Sequence, residues 1–212
     1  MRVVAIDGPA GAGKSTVART LAVRLGLEYL DTGAMYRAVT FAALRRGLSL
    51  DDTTAVGELS RAVTLDVGDN GVFVDGVDAT AAIRTSEITA AVSAVAANSE
   101  VRAEMRDRQR DWAAERGGGV IEGRDIGSVV FPDAVLKLYL TASPRVRAER
   151  RVAEAGGDID EIAQAIALRD EKDSTRADSP LREADGSIVL DTSGLPIDAV
   201  IATIEELLKG AQ

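Results

Sequence analysis

The stretch Gly8-Pro9-Ala10-Gly11-Ala12-Gly13-Lys14-Ser15 has the most definite chemistry in this 212-residue chain. It fits G-x-x-x-x-G-K-S/T, a loop whose glycines let the backbone curl until several N–H groups face one anion. A helix starting near Lys14 adds its positive dipole end. The Lys14 ammonium would sit on the β- and γ-phosphates, and the Ser15 hydroxyl would ligate Mg²⁺. Residues Gly8 to Thr16 are therefore expected to form a site for a nucleoside triphosphate with Mg²⁺. The rest of the inventory is narrow. The chain has no His and no Cys, which removes imidazole triads, thiol nucleophiles and zinc–thiolate centres. Carboxylates, Lys, Arg, hydroxyls, backbone amides and a bound ion remain.

Arginine is the abundant cation, at 21 against 4 Lys. Arg37, Arg124, Arg145, Arg147, Arg150, Arg151, Arg169 and Arg176 fall near expected strand ends or in the helices that follow them. Open α/β sheets bind ligands at those carboxyl ends, and guanidinium groups neutralise phosphates with bidentate, permanent charge. A phosphate acceptor with a second pKa near 6 is already dianionic at neutral pH, so a chain without His can run phosphoryl transfer between two phosphates with no general base. An alcohol acceptor would want a carboxylate base, for which Asp31 or Asp125 is available, and that alternative stays open. A nucleotide switch or motor also carries such a loop. The chain lacks Asn-Lys-x-Asp, however, and Asp191-Thr192-Ser193-Gly194 lies late for a switch. A phosphotransferase is the better reading.

The elements that must hold these residues read as one α/β layered domain. Val3–Ile6, 27–30, Val120-Ile121, 136–140 and 187–190 are expected strands; 34–46, 99–116, a segment opening at Pro144, 159–172 and a C-terminal segment are expected helices. Gly117-Gly118-Gly119 reads as a break. Two short strands around Gly68-Asp69-Asn70-Gly71 predict a hairpin, and with it an inserted lobe over residues 60–90. Arg106 and Arg110 are expected on a solvated helix face, Trp112 in the core, Arg145 and Arg147 as surface charges, and Asp7 as a strand-end turn former. With 46% hydrophobic and 28% charged residues and a net charge of −9, the composition is that of a soluble globular protein and disfavours nucleic acid as a partner. Aromatics at 3% also disfavour base-stacking surfaces. No apolar run approaches the ~20 residues needed to span a bilayer, and the first residues resemble no signal or transit peptide. A cytoplasmic monomer is expected.

Several segments together resemble the bacterial cytidylate kinases, of the nucleoside monophosphate kinase family. They are Asp7-Gly8-Pro9, Asp31-Thr32-Gly33-Ala34-Met35-Tyr36-Arg37, Glu122-Gly123-Arg124-Asp125-Ile126-Gly127, Val130-Phe131-Pro132-Asp133-Ala134, Arg169-Asp170-x-x-Asp173-x-x-Arg176 and Val189-Leu190-Asp191-Thr192. The resemblance covers essentially the whole chain. It implies an α/β three-layer P-loop kinase fold with a parallel five-stranded sheet, a monophosphate-binding insert at 60–90 and a short lid at 144–157. The implied reaction moves the γ-phosphate of ATP to CMP or dCMP. Arg37, Arg124 and Arg176 would clamp the acceptor phosphate. Thr32, Ser93, Arg102 and Asp125 would surround the cytosine, and Arg169 and Asp173 would contact the sugar. Lys14, Arg124, Arg150 and Arg151 would be the catalytic cations, the last two from the lid; 191–194 would lie near the donor adenine. Thr32, Glu122 and Ser128 stand where many members have Ser, Asp and Thr.

Overall fold

Short apolar segments become parallel strands here because helices cover both of their faces. The computed structural model describes residues 1–68 and 70–210; Asp69, part of the expected hairpin turn, lies outside the described residues. The central strands are β1 (Arg2–Asp7), β2 (Tyr29–Asp31), β6 (Gly118–Gly123), β7 (Leu136–Thr141) and β8 (Ile188–Asp191). They form one parallel sheet in the order β2-β6-β1-β7-β8. Val3, Ala5, Leu30 and Ile121 point to one face, where they meet α2 (Thr32–Arg45), α4 (Ser86–Ala97) and α5 (Ser99–Glu115) through Met35, Val39, Val92 and Met105. Val4, Ile6, Leu138 and Leu140 point to the other, against Val17 and Leu21 of α1 (Lys14–Leu25) and Ile201 and Ile204 of α8 (Ile197–Gly210). Helix, sheet and helix make three layers.

The topology creates the functional edge. From β1 the chain moves outward to β2, returns to insert β6, and then crosses to β7 on the other side of β1. Ligands bind where strand order reverses in this way. The register aligns Asp7 with Gly123 and Tyr139, and Asp31 with Glu122, so chemically useful residues end at one level.

Between α2 and α4 lie α3 (Thr53–Ala62) and a separate three-stranded antiparallel sheet of β3 (Leu65–Gly68), β4 (Gly71–Val74) and β5 (Val77–Asp78). Val72, Val74 and Ile83 pack it on Ala34, Ala38, Ala42 and Leu59. The helices α3 and α4 were not among the expected elements; the side chains of Asp52 and Thr85 cap their first turns. The helix α6 (Pro144–Ala155), with Pro144 in its first turn, leads through Gly156-Gly157 into α7 (Ile159–Thr175).

Two local expectations need correction. Gly118 and Gly119 do not break the chain but open β6. A side chain at Gly118, which has φ +134°, would overlap the Arg2 carbonyl; one at Gly119 would come within 2.6 Å of the Trp112 ring. These glycines allow close packing rather than a turn. The helix α2 starts at Thr32, two residues before its expected start at Ala34, because the Asp31 carboxylate accepts the Ala34 N–H at 3.0 Å.

Candidate active site

The phosphate loop fills the gap between β1 and α1. Gly8 (φ +146°) has no room for a β-carbon beside the Leu140 carbonyl, and Gly11 (φ +76°) lies 3.0 Å from the Arg147 backbone of α6 by the same measure. Gly13 caps α1 in the left-handed region. Lys14 is buried and donates to the Pro9 carbonyl at 2.9 Å. Burial, followed by the Arg124 charge, depresses its pKa to about 7. Ser15 and Thr16 lie exposed in the first turn of α1 and line the same cleft as residues 10–14.

That cleft encloses about 730 Å³ and reaches from the loop to α4, α5 and α7. Every residue expected to bind the acceptor lines it: Thr32, Arg37, Ser93, Arg102, Arg124, Asp125, Arg169, Asp173 and Arg176. Arg150 and Arg151 line it from α6. Gly8 and Pro9 do not line it; they form the loop's approach from β1.

Resident carboxylates organise the cations. Arg124, just past β6, donates Nε to Asp173 Oδ2 and Nη1 to the Gly8 carbonyl, both at 2.9 Å. Arg169 lies 4.0 Å from Asp173, and its buried Nε has no hydrogen-bond partner among the described residues. Asp125 pairs with Arg102 and lies 3.5 Å from Arg176; the Arg102 guanidinium sits 5.5 Å from the Tyr36 ring centre. Asp125 is thus held by residues of α5 and the end of α7, not by its neighbour Arg124. Arg37 reaches the Ile83 carbonyl and Thr89 Oγ1 at 2.9 Å each. Burial, then the surrounding guanidinium groups, pulls Arg37 and Arg169 each down to about 10. The cleft is a crowded positive field, and an anion would relieve it.

Asp7 does more than shape a turn. Its carboxylate accepts the N–H groups of Ile126 and Gly127, both at 2.8 Å, tying the end of β1 to the π-helical turn Ile126–Val130 that follows Arg124 and Asp125. Burial raises its pKa to about 6 against the pull of those two donors. Arg147 is also not a surface charge: it is buried, and it pairs with Asp170 and donates to the Ala10 and Ala142 carbonyls. Arg145, by contrast, is exposed and pairs with Glu149. Arg110 donates to the carbonyls of Val129 and Val130 at the end of that turn, so it is no idle charge on its helix face. Trp112 is only partly buried against the core.

Sequence reading passed over Tyr29, Arg84 and the resident partners of Arg150. The Tyr29 hydroxyl donates to Glu122 Oε1. Arg84 bridges to Asp31 Oδ2 at 2.9 Å across the cleft mouth. Arg150 donates to Thr192 Oγ1 and to its carbonyl, at 2.9 and 2.7 Å, and Thr192 Oγ1 also donates to the Ala12 carbonyl at 3.1 Å. Thr192 belongs to the Val189–Thr192 segment, but its pairing with Arg150 is not written there; Tyr29 and Arg84 sit in no distinctive motif, and only the fold brings them to the site.

A family model described as Cytidylate kinase matches residues 4–210. The chain belongs to the cytidylate kinase family. A cytidylate kinase of Exiguobacterium sibiricum is 50% identical, over 98% of this chain and 97% of its own length; one of Mycobacterium leprae is 48% identical over 98% and 95%. Among solved structures, a shikimate kinase from Acinetobacter baumannii in complex with shikimate superposes with a TM-score of 0.51 at 13% identity, over 100% of this chain and 95% of that one. A Thermus thermophilus protein, TT1252, gives 0.51 at 19%, over 98% and 97%. Those likenesses concern the fold, the P-loop kinase arrangement of sheet and helices. As a cytidylate kinase family member, the chain is a nucleoside monophosphate kinase, and the position of its arginines takes its meaning from that chemistry.

The residues beside the loop suit Mg²⁺. Glu122 is buried at the end of β6, with the Ser15 hydroxyl and Lys14 acting on it. Burial, then the Asp31 charge, raises its pKa. A hydroxyl and a carboxylate are hard oxygen donors, the type Mg²⁺ takes alongside substrate phosphates. Among the described residues no group of three or more acidic side chains is placed to hold a metal by itself, so the donor phosphates would complete the shell.

Proposed function

We propose that this kinase transfers the γ-phosphate of ATP to CMP or dCMP through the groups that line this cleft. One observation carries the assignment of roles. The phosphate loop and the buried Arg102–Asp125 pair line one cleft, together with Arg37, Arg124, Arg169 and Arg176. Two phosphates joined end to end would lie among these arginines, and a base at the Arg102–Asp125 pair.

The loop amides and Lys14 bind the donor phosphates, with Arg150 and Arg151 closing on them from α6. Arg37, Arg124 and Arg176 hold the acceptor phosphate. One of its oxygens attacks the γ-phosphorus as the bond from that phosphorus to the β–γ bridging oxygen breaks, and ADP leaves. No proton has to move, because the acceptor arrives dianionic. Mg²⁺, held by Ser15 and through Glu122, would supply charge neutralisation on the donor phosphates. The remaining contribution is alignment and the exclusion of water.

The Arg102–Asp125 pair fits cytosine. Cytosine presents an exocyclic amino donor, which the Asp125 carboxylate accepts, while the Arg102 guanidinium donates to the ring acceptors beside it. Uracil offers a carbonyl oxygen at the amino position and would face a carboxylate there. Thr32 and Ser93 complete the pocket, and Asp173 with Arg169 reaches the sugar. Every group in this account comes from one chain, so the enzyme is proposed to act as a monomer. Among the described residues no helix is long and apolar enough to cross a membrane, and the cytoplasm, where both nucleotides occur, is the proposed compartment.

The test is a coupled assay with ATP and Mg²⁺ across CMP, dCMP, UMP, AMP and shikimate. CMP and dCMP should support the highest kcat/KM. ATP hydrolysis that does not depend on any acceptor, or a preference for shikimate, would defeat the proposal.

A further inference from the structure

The peptide group of Ala10, in the middle of the phosphate loop, is held from both sides by one ion pair. Asp170 Oδ1, on α7, accepts the Ala10 N–H at 3.2 Å. Arg147 Nη1, on α6, donates to the Ala10 carbonyl at 3.1 Å and also to Asp170 Oδ2, while its Nε donates to the Ala142 carbonyl at 3.2 Å. The two side chains are 10% and 19% exposed. Next to Ala10, Gly11 is pressed so close to the backbone of Arg147 that a β-carbon would lie 3.0 Å from it. The loop therefore meets, at one peptide, the two consecutive helices α6 and α7, through residues 137 and 160 positions further along the chain.

We propose that Arg147 and Asp170 are positioning residues that hold the phosphate loop in its anion-binding shape and tie it to the helix carrying Arg150 and Arg151. A loop that gathers N–H groups around an anion must keep its other peptides from turning toward the same space, and an unfixed peptide samples many orientations. Here the N–H and the C=O of Ala10 are both committed to partners outside the cradle. The partners are joined by a charged bond of low exposure, whose geometry is harder to deform than a surface pair's. Arg147 lies one helical turn before Arg150 and Arg151, so the pair also fixes where those two guanidinium groups stand relative to Gly13, whose β-carbon position lies 3.4 Å from Arg150 Nη1. Neither Arg147 nor Asp170 lines the cleft. Their action is through the loop, not on substrate.

This inference rests on the reading of the loop as the donor-phosphate site, and its test separates the two. Asp170→Ala removes both bonds. Asp170→Asn keeps an acceptor for the Ala10 N–H and weakens only the pairing with Arg147. Arg147→Lys keeps the charge and loses the fork. In the parent enzyme, steady-state kinetics establish whether ATP-dependent phosphorylation of CMP occurs; its absence would sink the donor-site reading and leave the clamp to the second measurement. That second measurement is amide hydrogen exchange of Ala10 in the ligand-free protein, followed by NMR. The expected results are exchange at least tenfold faster in Asp170→Ala, kcat/KM for ATP lower by about 10–100-fold with KM for CMP within twofold of the parent, and substantial rescue in Asp170→Asn. Should Asp170→Ala not fold, Arg147→Lys carries the test, with an ATP-selective loss of about threefold or more expected. Unchanged Ala10 exchange, or equal losses toward ATP and CMP, would overturn the assignment.

Discussion

Asp125→Asn is the substitution whose consequence the structure fixes most tightly. The Asp125 carboxylate lies between two guanidinium groups, paired with Arg102 and 3.5 Å from Arg176, and the side chains of Asp125 and Arg102 are 6% and 4% exposed. The asparagine is nearly isosteric, so packing survives and the change is one of charge. Two buried cations are then left facing each other, with Asp178, 3.7 Å from Arg102 Nε, and Asp173, near Arg176, as the remaining carboxylates acting on them. Removing one partner of a buried pair destabilises by about 3–5 kcal/mol. For a chain of this length each kcal/mol moves Tm by roughly 2–4 °C, which gives a drop of roughly 6–20 °C. Scanning calorimetry and urea titration of the ligand-free protein would measure it. Removing one stranded cation should relieve much of the strain, so Asp125→Asn/Arg102→Met is expected to regain at least half of the loss although it deletes a second hydrogen-bonding group. An Asp125→Asn protein within 2 °C of the parent, or a double variant whose losses simply add, would refute the claim that this carboxylate neutralises this part of the cleft.

Three further outcomes are expected. Lys14→Ala should lower kcat by about 10³-fold with a Tm no lower than the parent's, because a buried ammonium bonded only to a carbonyl is removed; a coupled assay beside a melting curve checks both. ATP binding at pH 8 should take up protons, since Lys14, depressed to about 7 in the free protein by burial and by Arg124, regains its proton beside phosphate. Titration calorimetry in two buffers of different ionisation enthalpy reads the uptake, and none at pH 8 would contradict it. By the same linkage the Lys14 contribution to stability is present above its unfolded pKa and is lost as pH falls through about 7, whereas that of Asp7, raised to about 6, is present below its unfolded pKa and lost as pH rises through about 6. Gly8→Ala should cost about 3 kcal/mol or more or prevent folding, while Gly26→Ala, also left-handed but in open space, should cost only about 1–2 kcal/mol; equal costs in urea unfolding would rule out steric contact as the cause.

The legible parts of the molecule are those where one residue type answers one local demand. Gly13-Lys14-Ser15 announces an anion site because no other local structure needs that order of residues, and Pro144 and Gly26 punctuate helices through their own backbone preferences. The α/β layering follows from alternating strands and helices, whereas the strand order β2-β6-β1-β7-β8 does not. What stayed hidden depends on partners distant in the chain. Arg147 has the sequence context of a surface lysine or arginine on a polar helix, and its partners Asp170 and Ala10, the latter 137 residues away, make it a buried strut. Gly118 and Gly119 look like a break because the Arg2 carbonyl and the Trp112 ring that crowd them cannot be seen locally. The helix α4 is dense in alanine and valine and follows a hairpin, and its pairing with α2 gives it a role that composition alone does not.

The arrangement also explains how a chain of net charge −9 maintains a cationic cleft without an anion in it. Five of its lining guanidinium groups lie beside internal carboxylates, Arg102 and Arg176 at Asp125, Arg124 and Arg169 at Asp173, and Arg84 at Asp31, while Arg37 and Arg150 rest on carbonyl and hydroxyl oxygens. Each acid holds the arginines it pairs with in place, so that less ordering remains when phosphate arrives. Lys14 is held differently, since its hydrogen-bond partner is a backbone carbonyl and not a carboxylate, and burial, then the Arg124 charge, lowers its pKa. The arginines are pre-charged, whereas the lysine of the loop takes its full charge when phosphate binds. Arg102, Arg124 and Arg176, proposed for the acceptor, thus stand on internal carboxylates, whereas the loop lysine stands on a backbone carbonyl. For that reason substitutions of Asp125 or Asp173 should act on stability and acceptor affinity together, while Lys14 substitutions should act on turnover.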